Sequence, residues 1–327
     1  MSNQTVDRQT VATPVAELFG IDAPKKVTAS KFADDQNIHI PVVDEHYVFR
    51  KQFVREVLAY IQRPHNDAML AFGHTGTGKS SGFNQLLARL NYPTEEVTCY
   101  EDMRYTDLLG QFVMRAERPG EVPQMTWVDG PLTRAARYGH ALIMNEWDIM
   151  EPGELAGLND LLDGRPLMIA QNGGEVIHPH PDFRLFATGN SAGSGDEMGH
   201  YGSVKSQNLA AMDRYRVIEV DYPDPEVEEM ILARVQPKLS QELRQGMVKV
   251  ANEIRSVFKG ENPEAQIGIT MSTRVLRRWA MLTMDFKGAQ NSSAYALDIA
   301  LLRRADKEER EAVTRICKDV FGNLWSA

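Results

Sequence analysis

Apolar positions along this chain recur with two different periods, and the changes between them mark its organisation. Over residues 49–62, Phe53, Val54, Val57, Leu58 and Ile61 repeat at helical spacing. The run Ala68-Met69-Leu70-Ala71-Phe72 is short and continuous, which predicts a strand buried on both faces. Phe83, Leu86, Leu87 and Leu90 then return to the helical period. Residues 96–100, 141–144, 184–188 and 217–220 read as four further strands. Strands alternating with helices predict an α/β fold, a parallel five-stranded sheet between helices.

Two stretches break the rhythm. Residues 111–129 carry apolar pairs around Arg118-Pro119-Gly120, and residues 166–181 carry Leu167-Met168-Ile169 and Glu175-Val176-Ile177 around Asn172-Gly173-Gly174. Both predict β-hairpin insertions. Past Pro223 and Pro225 the pattern is helical, over 226–235, 240–258, 273–285 and 294–305. The first 40 or so residues are polar apart from an apolar island at 15–21, which suggests an extended arm with a short docking helix. The expected parts are an arm at 1–45, a nucleotide-binding domain at 46–222 and a helical lid at 223–327.

The 327 residues, 43% hydrophobic and 25% charged, allow more than one packed core. No run approaches the ~18 apolar residues of a membrane span, and the polar N-terminus predicts a cytoplasmic protein. Cys99 and Cys317 lie far apart without metal-ligand spacing and read as buried thiols. A net charge of -9 disfavours a general nucleic-acid binder, because phosphate affinity needs an excess of Lys and Arg.

The strand at 68–72 runs into Gly73-His74-Thr75-Gly76-Thr77-Gly78-Lys79-Ser80, followed by Ser81 and a helix. Strand, G-x-x-x-x-G-K-S and helix is the pattern of a phosphate loop. Bare backbone N–H groups at a helix N-terminus hold phosphate charge at close range, and glycines keep Cβ atoms out of the way. Lys79 is then the charge on the β- and γ-phosphates of ATP, and the Ser80 hydroxyl a ligand for Mg2+.

Four other positions suit the same chemistry. Ala141-Leu142-Ile143-Met144 followed by Asn145-Glu146 resembles a Walker B strand, with Glu146 placed to polarise the attacking water. Asn190, at the end of Phe183-Arg184-Leu185-Phe186-Ala187-Thr188-Gly189, suits a sensor of the γ-phosphate; the plainer role is a turn cap. Arg214, just before the fifth strand, suits an arginine finger acting on a neighbouring subunit; the plainer role is a pair with Asp213 or Glu219. Arg274, in Ser272-Thr273-Arg274, could reach the γ-phosphate from the lid or be a solvated helix charge.

This order of motifs, with the two hairpins, resembles the MoxR group of AAA+ ATPases over residues 47–327. Leu18-Phe19-Gly20-Ile21-Asp22, Asp182-Phe183-Arg184-Leu185-Phe186-Ala187-Thr188 and Met212-Asp213-Arg214 are similar to the ATPase subunit of aerobic cobaltochelatase, the CobS type. The resemblance implies an AAA+ P-loop fold with a small C-terminal helical lid, and a homo-oligomeric, commonly hexameric ring that hydrolyses ATP with Mg2+. It also implies a partner with a von Willebrand A domain, of the CobT type, and in true chelatases a large subunit that inserts Co2+. Asn145 departs from the Asp usual in the family, and this predicts weakened Mg2+ dependence, with the amide oxygen partly substituting. Three alternatives stay open at this stage: a MoxR-type chaperone unrelated to cobalamin, a slowly hydrolysing nucleotide-gated scaffold, and a DNA-directed motor.

Overall fold

The structure, a computed structural model, describes residues 8–116, 122–195, 202–260 and 267–325. It divides into two compact units: Met1–Asp44, Phe49–Gly73 and Lys79–Val220 form one, and Glu45–Val48, His74–Gly78 and Asp221–Ala327 the other.

The first unit opens with β1 (Thr10–Pro14), α1 (Val15–Phe19) and β2 (Thr28–Phe32). The helix α1 lies within the apolar island, and the segments on either side of it, β1 and β2, pair antiparallel, Thr10 opposite Phe32. Phe32 N–H donates to Leu90 O (2.9 Å), and the Phe19 ring packs edge-on against Phe49 at 5.0 Å. Then come α2 (Lys51–Gln62), β3 (Ala68–Phe72), α3 (Lys79–Arg89), β4 (Thr94–Thr98) and α4 (Tyr105–Leu109). The first hairpin is β5 (Gly110–Arg115) with β6 (Gln124–Asp129); it stands between α4 and α5 (Pro131–Tyr138), and its expected turn at 118–120 falls outside the described residues. After β7 (Ala141–Asn145) come two short helices, α6 (Pro152–Leu155) and α7 (Asn159–Leu162). The second hairpin, β8 (Leu167–Ile169) with β9 (Glu175–Ile177), follows, then β10 (Arg184–Gly189), α8 (Leu209–Met212) and β11 (Tyr215–Glu219).

The main sheet is five-stranded and parallel, in the order β11-β3-β10-β7-β4. Successive side chains point to opposite faces, so Leu70, Leu142 and Leu185 join a core with Trp147, Leu132 and Leu158. On the other face the Phe186 ring meets Phe83 (4.7 Å) and Tyr60 (5.2 Å). β4 runs two residues earlier than the expected 96–100, because as an edge strand it takes in the polar Thr94 and Glu95. Glu95 is buried and anchors the segment around residue 39: Glu95 Oε1 lies 3.2 Å from His39 Nδ1 and 3.0 Å from His140 Nδ1, and Oε2 accepts from Arg134. Burial alone would push this carboxyl up; the hydrogen bonds from His140 and Arg134 outweigh it and hold the pKa at about 2.

The second unit is built on α9 (Pro225–Val235), α10 (Gln241–Phe258), α11 (Thr273–Asp285), α12 (Ser292–Ala300) and α13 (Lys307–Phe321). They pack around the fully buried Trp279 with Leu276, Ile254, Val250 and Leu297. Ser272 caps α11 by accepting from Val275 N–H (3.2 Å), and Asp306 and Glu309 form a capping box on α13. Cys99 and Cys317 are both buried, and burial pushes each thiol up to about 12. Among the described residues no helix is long and apolar enough to cross a membrane.

Candidate active site

A buried hydrophobic strand must end where its chain can turn, and β3 ends in the glycine-rich segment that leads into α3. Gly73, Gly76 and Gly78 all have positive φ (145°, 72° and 93°), which side chains of L residues rarely adopt. A Cβ on Gly73 would stand 2.3 Å from Val220 O, so packing requires that glycine. Among the described residues nothing lies within 4 Å of the same position on Gly78. His74 to Gly78 belong to the second unit: Tyr222 Oη donates to Thr75 O (3.2 Å), and His74 stacks on Tyr222. A Cβ on Gly76 would meet Ser272, the cap of α11, at 2.3 Å. Thr77 is buried, its Oγ1 donating to His74 O (3.0 Å), and Ser81 is exposed.

Within the first unit the C-terminal ends of β3, β7 and β10 lie side by side, where parallel α/β sheets present ligands. Lys79 Nζ donates to Gly73 O (2.6 Å) and to Asn190 Oδ1 (3.2 Å). The sequence places these two residues 111 positions apart; adjacent strands bring them together. Burial lowers the Lys79 pKa to about 8, against the raising influence of Asp148 and Glu146. A cation disfavoured by its surroundings is a site that gains from an anion.

Ser80 Oγ donates to Asn145 Oδ1 (2.5 Å), which also accepts from Thr188 Oγ1 (3.1 Å). Hydroxyl and amide oxygens on one side of Lys79 are hard oxygen donors, the kind Mg2+ takes alongside retained waters. The donor set fits: Ser80 would hold the ion directly and Asn145 through water, and when bound the ion neutralises phosphate charge.

Glu146 follows β7 with φ 53° and ψ 40°, a left-handed conformation that is uncommon and strained for a non-glycine residue. Its side chain is exposed, with no ion-pair partner among the described residues, so its carboxylate is available to a water. Asp148 is fully buried; its Oδ2 accepts from Asn190 N–H (2.7 Å) and Ser191 N–H (3.1 Å), and burial raises its pKa. This carboxylate fixes the backbone that presents Asn190 to Lys79.

Arg214 does not pair with Asp213 or Glu219. Its Nε and Nη2 reach the two oxygens of Asp163 at 2.7 and 2.9 Å. Arg274 is exposed in the first turn of α11, without an ion-pair partner among the described residues. Thr188, Glu96, Asp148 and Asp163 are the site residues that motif spacing alone does not assign. Thr188 carries the one usable signal, since it stands near the C-terminal end of β10, two positions before Asn190.

Residues 68–201 match the AAA domain of the dynein-related subfamily, and residues 228–320 match the CbbQ/NirQ/NorQ C-terminal domain. The chain is 29% identical to the aerobic cobaltochelatase subunit CobS of Sinorhizobium sp, over 94% of this chain and 90% of that one. It is 29% identical to NorQ of Paracoccus denitrificans over 78% of this chain and 84% of that one. It is 32% identical to CbbQ of Hydrogenophilus thermoluteolus over 50% and 57%. With the phosphate loop, the five-stranded parallel sheet and both domain matches in one chain, it is an AAA+ ATPase of the MoxR group that includes CobS, NorQ and CbbQ.

Proposed function

We propose that copies of this chain form a ring, hexameric in its simplest form, that hydrolyses Mg-ATP in the cytoplasm and uses the cycle to remodel a partner carrying a von Willebrand A domain. The observation that carries this reading is the meeting of Lys79 with Asn190, 3.2 Å apart, beside the exposed carboxylate of Glu146. Residues 73–81 cradle the triphosphate, Lys79 and Asn190 hold its γ-end, and Glu146 orients the water that attacks it. Arg214 of an adjoining copy completes the site, and Arg274 reads the γ-phosphate from the lid, residues 223–327.

In its most specific form the ring is the ATPase subunit of a cobalt chelatase, acting with a CobT-type partner and a large chelatase subunit. The similarity to CobS along 94% of the chain supports that form. A steady-state assay tests the core: Lys79→Ala and Glu146→Gln abolish phosphate release, and unchanged release would overturn the assignment. Affinity capture from the native host with ATP and Mg2+ tests the rest. Recovery of both a von Willebrand A protein and a large chelatase subunit supports chelation; the first without the second points to a chaperone outside cobalamin chemistry.

Asn145 favours a second reading. If the missing charge slows hydrolysis to background even with partner present, while ATP still drives assembly, the ring is a nucleotide-gated scaffold.

A further inference from the structure

An amide in place of a carboxylate changes more than charge. Asp presents an acceptor whichever oxygen faces Ser80, whereas Asn presents either an acceptor or a donor, depending on which way its amide is turned. Were Asn145 Nδ2 to face Ser80, the hydroxyl would have to accept, occupying the lone pair a cation needs. Something must therefore fix the amide.

The neighbouring strand does so. Asn145 Nδ2 donates to Glu96 Oε1 at 2.6 Å, while Oδ1 on the other side accepts from Ser80 Oγ (2.5 Å) and Thr188 Oγ1 (3.1 Å). A carboxylate cannot donate, so the amide oxygen is excluded from the Glu96 side, and the two hydroxyls take it. Glu96 is itself held, its Oε2 accepting from Asn84 Nδ2 of α3 at 3.0 Å. In the sheet Asn145 lies opposite Thr98, and Glu96 stands two residues earlier, on the same face of β4 as Thr98. The pair thus places a carboxylate one amide away from Ser80.

The geometry points to Glu96 as a positioning residue of the ATPase: it turns the Asn145 amide so that its oxygen faces Ser80, and it returns to this corner the negative charge that Asn145 lacks. Glu96 and Asn145 together replace one aspartate. The inference rests on the reading of Ser80 and Asn145 as the Mg2+ corner of the nucleotide site.

The test is calorimetric binding of the non-hydrolysable analogue AMP-PNP, with Mg2+ and with EDTA, to the wild type and to Glu96→Ala, Glu96→Gln, Asn145→Asp and Asn145→Asp/Glu96→Gln. Each variant is first checked for a wild-type circular-dichroism melt. Glu96→Ala weakens the Mg2+-dependent part of the affinity about tenfold, the scale of one lost charge interaction of about 1.4 kcal/mol, and leaves affinity in EDTA unchanged. Glu96→Gln, which keeps an acceptor for Nδ2, loses less. Asn145→Asp alone sets two carboxylates against each other and does not gain affinity, whereas the double variant does. Mg2+-dependent affinity within twofold of wild type in Glu96→Ala overturns the inference, as does an equal gain from Asn145→Asp with Glu or Gln at 96. Loss of melt in Glu96→Ala leaves the decision to Glu96→Gln and the double variant. If Lys79→Ala binds AMP-PNP like the wild type, the nucleotide-site reading itself fails, which is a separate result.

Discussion

Arg214 is held by Asp163 through a two-point contact of 2.7 and 2.9 Å, and its remaining Nη1 donates to Ala210 O at 2.6 Å. The guanidinium is therefore engaged within its own chain, and to serve a neighbour's nucleotide it must exchange Asp163 for the phosphates. Arg214→Ala lowers kcat, on the order of 10³-fold for an arginine finger. Mixing it with Lys79→Ala restores part of the activity, since each variant supplies what the other lacks. Asp163→Ala frees the finger and lowers the protein concentration at which activity reaches half its maximum. Failure of the mixture to recover any activity would remove Arg214 from the trans role.

Lys79 makes nucleotide affinity depend on pH. Burial lowers its pKa to about 8, so in the free protein the charge is lost as pH rises through 8. Bound phosphates favour the charged form, so binding above pH 8 takes up a proton, and affinity falls as pH rises, by at most tenfold per unit. Calorimetry at pH 8.5 in two buffers of different ionisation heat reads the uptake directly. Stability of the free protein has the opposite sign. Between about 8 and the ordinary lysine value the unfolded chain binds more protons, so the cost of burying the charge, present below 8, fades as pH rises through that window. Pure enthalpic agreement between the two buffers would count against a neutralised Lys79.

How much of this site the sequence discloses depends on the distance over which each relation acts. Lys79, Ser80 and Glu146 stand at fixed local spacings behind buried strands, so periodicity together with short motifs locates them. Asn190 follows because it comes directly after β10, whose apolar Leu185-Phe186-Ala187 marks a buried strand. Glu96, Thr188 and Asp163 act across strands or between helix and strand, and their roles need the register Thr98 to Asn145 and the position of α7. The N-terminal pairing of β1 with β2 is invisible for the same reason: its strands are short and polar, and their partnership is set by the fold around α1.

Glu146 stores strain where the chemistry is expected. Its φ of 53° costs about 1–2 kcal/mol in a residue with a Cβ, and glycine is free of that cost. Glu146→Gly therefore raises the unfolding free energy by about 1 kcal/mol after its own entropic penalty, and Glu146→Gln leaves it unchanged. Both stop phosphate release. Denaturant unfolding of the two variants separates backbone relief from loss of charge; a Gly variant no more stable than the Gln variant would show that the turn is unstrained.

Glu228 and Arg255 form a buried pair in the helical unit, with contacts of 2.7 and 2.8 Å. Arg255 also donates to Met271 O (2.7 Å) and lies 4.1 Å over the Tyr222 ring, while Glu228 accepts from Thr273 Oγ1 (2.7 Å). Met271 and Thr273 flank Ser272, the cap of the helix that carries Arg274, so the pair sets the start of α11. Removing one charge strands the other: Glu228→Gln costs about 3–5 kcal/mol. Replacing both, as Glu228→Met with Arg255→Met, costs less than Glu228→Gln alone, because no buried charge remains. The double variant nevertheless loses the hydrogen bonds that fix α11, so its nucleotide affinity falls while its stability recovers. Thermal melts and AMP-PNP titration on the same samples check both halves, and a double variant less stable than Glu228→Gln would show that the pair itself stabilises the unit.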